Sequence, residues 1–322
     1  MNSLIEALTS FFSDVQQIFF ESLVQPLMFN IGLGNLLEDG FVATGWLLVG
    51  LLQLGVLLAV IGPLQRWRPV EPVIDRAAIR TDVIYTLIHR LGLIRLILFF
   101  TLEPLFDDLF GALRVAGWGT FQLDAAWPGV TDQPVLSFLV YLVVLDFFDY
   151  LIHRSQHHFR WWWSLHALHH AQRQMTMWSD NRIHLIDDIL RFSLIALLAQ
   201  LIGVAPGQFV AIVALTQLSE SFQHANLRLW FGPVGERLWI SPRFHRLHHA
   251  IGIGHESVGR NSVGGCNFGV LLPWWDMLFG SANFELRFEP TGVRDQVEQG
   301  RDYGRGFWRQ QWLGIKRLAG RA

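Results

Sequence analysis

Long apolar runs alternate with polar stretches along this chain and predict membrane-spanning helices. Residues 41–64 contain no charged side chain over 24 positions, which at 1.5 Å per residue is long enough to cross a hydrocarbon core about 30 Å thick. Residues 85–102 are nearly as apolar but contain His89, Arg90 and Arg95. We therefore expect a second span that tilts, snorkels its arginines or packs them against protein.

Two further apolar segments predict helices of a different kind. Residues 135–145 open a third apolar helix, which then becomes polar and reaches His153. Residues 192–218 carry no charge, but Gly203 and Pro206 interrupt them. Such an interruption is compatible with one kinked span or with a hairpin that enters the membrane and returns.

The first 40 residues predict an amphipathic helix lying at the membrane surface. Its apolar residues recur at steps of three and four: Ile5, Leu8, Phe12, Val15, Phe19 and Leu23. The loop after the first span carries four arginines, Arg66, Arg68, Arg76 and Arg80. The positive-inside rule places this loop in the cytoplasm and the N-terminus outside. The third span then brings His153 to the cytoplasmic side.

Composition supports a membrane protein and excludes several other classes. The 322 residues are 51% hydrophobic and 16% charged, whereas about a quarter of residues are charged in a typical soluble domain. A net charge of −2 excludes a strongly basic nucleic-acid binder, and the lone Cys266 excludes an internal disulfide. We expect an all-α polytopic bundle of about four spans, one pair a broken hairpin, with a cytoplasmic-side helical cap. Its regions are an interfacial segment (1–40), a transmembrane region (41–134), a catalytic region (135–281) and a C-terminal cytoplasmic tail (282–322).

Histidine carries the candidate chemistry. Two short stretches, at residues 153–170 and 244–249, hold nine of the thirteen histidines: His153, His157, His158, His166, His169, His170, His245, His248 and His249. On helices, the three- and four-residue spacings aim two or three imidazoles at one point. Neutral imidazole suits zinc, copper, iron and nickel, and so many ligands exceed the needs of one ion. The sequence therefore predicts a site for two metal ions.

A single metal centre would also determine whether residues 192–218 form one kinked span or a hairpin. If all the boxes surround one centre, the chain between His170 and His245 must cross the membrane an even number of times. We therefore expect this segment to enter the membrane and return near Pro206. Glu220 and His224 would then share a face of the returning helix, four residues apart. His184 is a further candidate, as a ligand, as support for a ligand or as a substrate contact.

With the boxes H-x3-HH, H-x2-HH and H-x2-HH at membrane edges, the chain resembles the fatty acid hydroxylase / sterol desaturase superfamily of integral membrane enzymes. DYLIHRSQHH is similar to the first box of that group and SPRFHRLHH to the third. NFG followed by WWDMLFGS is similar to the segment that closes the catalytic domain. The likeness covers roughly residues 146–281.

The resemblance implies a non-haem di-iron centre, with zinc as an alternative metal in the isolated protein. It assigns as ligands His153, His157, His158, His166, His169, His170, His224, His245, His248 and His249, although His158 depends on a spacing that varies among relatives. Glu220 stands where some relatives have another histidine, and His184 is similar to a histidine of relatives that precedes proline, here Leu185. Asp149 and Asn267 are further candidates for binding or supporting the metals.

The resemblance also implies the reaction, which is O2-dependent hydroxylation of an aliphatic C–H bond in a membrane lipid. No haem, flavin or GxGxxG motif is visible, so electrons are expected from a separate haem or iron–sulfur carrier with its reductase. Desaturation at the same centre is the alternative. A metal transporter is a third reading, but it should place ionisable residues at mid-membrane, whereas here they lie at the edges. The expected location is a bacterial inner membrane with cytoplasmic boxes, otherwise the endoplasmic reticulum.

Overall fold

The computed structural model describes residues 2–94, 98, 102–119, 121–252 and 264–321. In these ranges the regular secondary structure is helical, and one isolated β-bridge joins Ala250 to Thr291. The α-helices are α1 (Asn2–Phe19), α2 (Gln25–Asn30), α3 (Leu37–Val56), α4 (Gly62–Trp67), α5 (Arg76–Arg90), α6 (Glu103–Val115), α7 (Pro134–His158), α8 (Arg160–His170), α9 (Leu185–Ile202), α10 (Pro206–Gln223), α11 (Gly232–Gly235), α12 (Pro242–His248), α13 (Trp274–Leu278), α14 (Arg294–Glu298) and α15 (Phe307–Leu318).

Within the described ranges, two helices are long and apolar enough to cross a membrane. Gly34–Trp67 has a mean hydropathy of 2.4 in its most apolar part and runs through a π-helical turn at Leu57–Ile61. Pro134–His158 has a mean hydropathy of 2.1. Both contain apolar runs predicted from the sequence, and the second delivers His153 near its end.

The N-terminal helix lies against α3 and exposes an apolar stripe. Its Gln16 side chain donates a hydrogen bond of 2.8 Å to the Phe41 carbonyl, and the rings of Phe20 and Phe41 pack edge to face. The opposite side exposes apolar side chains three and four residues apart: Leu8, Phe11, Val15 and Ile18. Leu8 and Val15 belong to the predicted apolar face, whereas Phe11 and Ile18 lie outside the predicted set.

The predicted second span is not a single described helix. Helix α5 begins in the predicted loop, well before the predicted span, and ends at Arg90. Two residues later, Gly92 adopts a left-handed φ of 76°. Residues 95–97 and 99–101 of the predicted span lie outside the described residues. Arg90 packs against protein, as expected, and its buried guanidinium lies 3.1 Å from a carboxylate oxygen of Asp180.

Helices α3 and α5 approach closely where Gly50 of α3 faces the backbone of Arg90. A Cβ at Gly50 would lie 1.7 Å from the Arg90 carbonyl oxygen, so alanine there forces the helices apart. We expect Gly50→Ala to lower the free energy of unfolding by about 1–3 kcal/mol, as overpacking does. Gly55→Ala in the same helix is the control, because its Cβ would meet nothing within 4 Å. Equal thermal stability of the two variants in detergent would contradict this packing.

Helices α9 and α10 form the hairpin beside α7. Gly203 ends α9 with a left-handed φ of 80°, and Tyr141 of α7 donates a hydrogen bond of 3.1 Å to the Gly203 carbonyl. A shared core joins the three helices: Tyr141, Leu142, Leu145, Ile195, Ala199 and Ile212. Each hairpin helix has 18 residues, about 27 Å of rise. The chain therefore returns to the end of α7 that carries the histidines.

The arginine-rich loop and the C-terminal residues both pack at this histidine end. The Arg68 carbonyl accepts a hydrogen bond from the Arg228 amide, and Arg246 forms an ion pair of 2.9 Å with Glu71. Helix α15 lies against α8, and Gln311 donates to the Tyr85 hydroxyl at 2.9 Å. Residues 282–322, predicted as a tail, thus include a helix packed on the histidine-bearing region.

Candidate metal centre

Four helices bring nine of the ten candidate histidines together, all of them buried. The last turns of α7 supply one pair, α8 supplies three, the residue that caps α10 supplies one, and α12 with its capping residue supplies three. In chain order they are His153, His157, His166, His169, His170, His224, His245, His248 and His249. They form two adjacent groups, each with the spacing needed to hold a metal ion, and a third set, His170, His248 and His249, lies where the two groups meet.

The first group lies between α7 and α8. His153, His157, His166 and His170 each place one ring nitrogen within 4.8 Å of the others. His248 of α12 closes the group, with its ring centroid 4.6 Å from that of His153 and 4.7 Å from those of His157 and His170.

The second group consists of His169, His224, His245 and His249. The Nε2 atom of His224 lies 3.2 Å from that of His169 and 3.1 Å from that of His245. His249 Nε2 lies 3.2 Å from His245 Nε2. Two imidazoles bound to one ion at about 2.0–2.1 Å are themselves about 2.9–3.4 Å apart, depending on the angle. The observed separations fit this geometry.

Backbone carbonyls fix the orientation and tautomer of three of these rings. The Nδ1 atoms of His153, His248 and His224 donate to the carbonyls of Phe268, Cys266 and Glu220 at 2.8, 2.7 and 2.8 Å. A carbonyl can only accept, so Nδ1 carries the proton and Nε2 presents its lone pair. His153 Nε2 is buried without a hydrogen-bond partner, as expected for a nitrogen aimed at a metal.

Asp187 at the start of α9 supports the first group. Its carboxylate is fully buried and accepts from His166 Nδ1 at 3.0 Å and from Gln156 and Trp162 at 2.6 Å. A carboxylate on Nδ1 orients the imidazole and raises the basicity of Nε2. His166 Nε2 is likewise buried without a hydrogen-bond partner.

Burial also keeps the histidines in the form that binds metals. The pKa values of His169, His170, His245 and His249 lie well below the ordinary value, mainly because burial penalises the charged ring and secondly because neighbouring imidazoles repel a proton. In contrast, burial raises the pKa of Cys266 to about 12. The Cys266 thiol therefore stays protonated, and this residue contributes its carbonyl oxygen instead.

Three predicted residues take other positions. His158 is exposed and packs its ring on Phe159, because neighbouring residues on a helix point about 100° apart. His184 caps α9: Nδ1 accepts from the Ile186 amide and Nε2 donates to the Gln311 carbonyl at 2.9 Å, so both ring nitrogens are engaged. Asn267 hydrogen-bonds the Phe244 and Asn283 backbones and thereby holds the third box in place.

The candidate carboxylates Asp149 and Glu220 meet at an arginine that the sequence prediction missed. Arg191 donates to both Asp149 oxygens at 2.8 and 3.1 Å and to Glu220 at 3.0 Å. Both acids thus lie beside the histidine groups, with Arg191 as their partner. The sequence did contain one signal for Arg191: it follows Asp187 by four residues, which puts both side chains on one face of a helix.

Over the part of the chain that the structure describes, these observations define a helical protein with two candidate membrane helices and a buried polyhistidine site. Within that class, residues 138–281 match the family model described as fatty acid hydroxylase. This match confirms the resemblance drawn from the boxes, over the region that carries them.

Several characterised proteins are similar to the same part of the chain. An ornithine lipid hydroxylase of Rhizobium tropici is 30% identical over 178 residues, 54% of this chain and 50% of that protein. An alkylglycerol monooxygenase of Caenorhabditis elegans is 26% identical over 55% of this chain and 32% of its own length. A fatty acid hydroxylase of a Lecanicillium species is 24% identical over 48% of this chain and 44% of its own length. The chain thus spans half or less of these relatives. No solved structure matches it.

Proposed function

We propose that this protein hydroxylates an aliphatic C–H bond of a membrane lipid at a di-iron centre. The observation that carries the proposal is the convergence of nine buried histidines into two metal-sized groups, inside the region that matches the fatty acid hydroxylase family. The names of the relatives, an ornithine lipid hydroxylase, an alkylglycerol monooxygenase and a fatty acid hydroxylase, support a lipid substrate and oxygen insertion.

Each histidine group would hold one metal ion. The first ion would be held by His153, His157, His166, His170 and His248, and the second by His169, His224, His245 and His249. An all-imidazole set suits iron and also zinc, which can occupy such a site in the isolated protein. Bound iron would supply O2 activation and insertion of one oxygen atom into the C–H bond.

The chain's own residues would orient the ligands and keep the site dry. Asp187 and the carbonyls of Phe268 and Cys266 hold three imidazoles with Nε2 turned inward. Burial of every ligand excludes bulk water, which would otherwise consume the oxidant. Positioning of one substrate carbon by the surrounding walls then decides which C–H bond reacts.

The reaction consumes one lipid C–H, one O2, two electrons and two protons, and yields an alcohol and water. A separate haem or iron–sulfur carrier with its reductase would supply the electrons, since the chain shows no motif for a redox cofactor of that kind.

We further propose a multi-pass arrangement with the histidines on the cytoplasmic side. Helices α3–α4 and α7 would span the membrane together with the α9–α10 hairpin, and the N-terminal helix would lie at the surface. Packing of the arginine-rich loop at the histidine end supports this orientation by the positive-inside rule. The expected membrane is a bacterial inner membrane, otherwise the endoplasmic reticulum.

Mass spectrometry of lipids from cells with and without the protein tests the proposed reaction. We expect one lipid class to gain a single oxygen atom when the protein is present, and to lose that change when O2 is withheld. Loss of two hydrogens instead would identify a desaturase. An unchanged lipid profile in cells that hold the metal-loaded protein would contradict both reactions and favour a metal-transport role.

A further inference from the structure

The C-terminal helix α15 buries polar side chains and exposes apolar ones. Gln311 and Arg317 are buried, whereas Trp308 and Trp312 are 78% and 57% exposed. Ile315 is exposed as well, and positions four and three residues apart share one face of a helix. We call Trp308, Trp312 and Ile315 the tryptophan stripe. A helix between a protein core and bulk water has the opposite arrangement, with its apolar face turned inward.

Hydrogen bonds determine which face of α15 meets the rest of the protein. The Gln311 side chain donates to the Tyr85 hydroxyl at 2.9 Å and accepts from the Leu185 amide at 2.8 Å. Arg317 donates to the Ser164 carbonyl at 3.1 Å. These partners belong to α5, α9 and α8, so α15 cannot rotate to bury the stripe without breaking contacts to three helices. Among the described residues, the tryptophan stripe therefore faces outward.

The start of α15 lies at the level of the proposed membrane. The ring of Phe307 packs on that of Tyr85 in α5, with centroids 4.7 Å apart. Five residues further along α5, the Arg90 backbone closely approaches Gly50, which lies midway along the apolar helix Gly34–Trp67. Five helical residues rise at most about 7.5 Å, whereas half of a hydrocarbon core is about 15 Å thick. Tyr85 therefore lies closer to the middle of the apolar helix than the lipid head groups do.

The chain around the tryptophan stripe is basic. Residues 303–322 contain no aspartate or glutamate and five basic residues, which are Arg305, Arg309, Lys316, Arg317 and Arg321. Two acids that precede them, Asp295 and Asp302, pair with Arg301 and Arg309. Helix α8, on which α15 lies, contains no acidic residue. The Lys316 ammonium lies 5.7 Å from the centre of the Trp312 ring, so positive charge directly borders the stripe.

A membrane that contains anionic lipids fits such a surface. Tryptophan is enriched at the boundary between lipid head groups and acyl chains. Lysine and arginine beside it can keep their alkyl stems on apolar surface while the charge reaches the head groups. A second copy of the chain fits less well, because a two-fold interface would place the same basic surface against itself.

We propose that α15 lies along the membrane surface, with the tryptophan stripe at the boundary between head groups and acyl chains and with Lys316 and Arg321 at anionic head groups. Helix α8 carries three of the buried histidines, so α15 would hold the histidine-bearing region against the lipid. The inference rests on the proposed membrane arrangement and goes beyond the proposed reaction, because it holds for a hydroxylase and for a desaturase.

Spin labelling of the full-length protein in lipid nanodiscs tests the position of α15. In a Cys266→Ser background, a nitroxide is attached at Trp312→Cys, at Leu52→Cys in α3 as the lipid reference, and at Glu298→Cys as the aqueous reference. All three native side chains are exposed. Collision rates with O2, which concentrates in bilayers, and with a water-soluble nickel chelate give the depth of each label. We expect the Trp312→Cys label to lie about 5–10 Å inside the bilayer surface.

The reference labels make each outcome distinct. A Trp312→Cys label as accessible to the chelate as the Glu298→Cys label would overturn the proposal, and Trp308→Cys repeats the measurement if Trp312→Cys does not fold. A label shielded from both O2 and the chelate would indicate a protein contact, such as a second copy, and would also overturn it. An aqueous Leu52→Cys label would contradict the proposed span itself, whereas an aqueous Trp312→Cys label alone contradicts only the position of α15.

Photo-crosslinking tests the role of charge. The protein is placed in phosphatidylcholine nanodiscs with a small amount of photoreactive phosphatidylglycerol or photoreactive phosphatidylcholine, and crosslinked peptides from residues 305–322 are quantified. We expect about fivefold more product with phosphatidylglycerol, as one basic residue near an anionic surface would provide. Lys316→Gln/Arg321→Gln should lose this preference, and Arg114→Gln, at an exposed position of α6, should keep it. Equal crosslinking of the two lipids to the unaltered protein would overturn the proposal.

Discussion

Replacement of His245 by alanine is expected to remove one of the two proposed metal ions and to lower the proposed lipid hydroxylation by at least about 100-fold. Loss of a group that merely orients a ligand typically costs 10–100-fold in affinity or activity, and a ligand itself contributes more. His245 belongs to the second group, where its Nε2 lies 3.1 Å from that of His224. Elemental analysis of the purified protein measures the metals, and product formation per chain measures the activity.

Two companion variants make this prediction specific. His153→Ala should remove the other metal equivalent, because His153 belongs to the first group. His158→Ala is the matched control, an exposed histidine of the same box, and should keep both metals and the activity. A full metal content in His245→Ala and His153→Ala, or metal loss in His158→Ala, would show that the two groups are not the metal sites.

The histidine doublets explain why a sequence can predict two metal sites but not which histidines belong to each site. Adjacent helical residues point about 100° apart, so the two rings of a doublet face different directions. His170 accordingly belongs to the first group and His169 to the second, whereas His248 and His249 both lie close enough to His170 to share a metal ion with it. The boxes and their helical spacing were predictable from local pattern alone. The assignment of each ring to a group depends on how α7, α8 and α12 pack.

His184 shows where local pattern is insufficient. Nothing in its neighbourhood distinguishes it from a ligand, yet the Gln311 carbonyl, 127 residues away, occupies its Nε2. Arg191 is a similar case, because its partners Asp149 and Glu220 belong to two other helices. In both cases the contact partners come from distant parts of the chain, so only the packing of the fold determines them. The hairpin was predictable because it follows from connectivity: the chain must return to the same end of the bundle.

Loss of the Arg243 side chain is expected to destabilise the third box strongly. Arg243 lies in α12, is fully buried, and forms an ion pair with buried Glu236. It also donates to the Glu285 carbonyl at 2.9 Å. Arg243→Ala leaves the Glu236 charge buried without its partner, which typically costs about 3–5 kcal/mol. Thermal denaturation of the purified protein should show the loss, together with a lower metal content, because α12 carries His245 and His248.

Replacing both Arg243 and Glu236 separates the effect of an unpaired buried charge from the effect of lost packing. In Arg243→Met/Glu236→Leu no charge remains buried, and such replacements are often neutral or stabilising. Here recovery should be partial, because the Ser241 hydroxyl and the Phe231 amide both donate to Glu236 and would lose their acceptor. We therefore expect the double variant to lie between wild type and Arg243→Ala in stability. A double variant as unstable as Arg243→Ala would mean that the hydrogen bonds of Arg243 and Glu236, and not the unpaired buried charge, decide the stability of the third box.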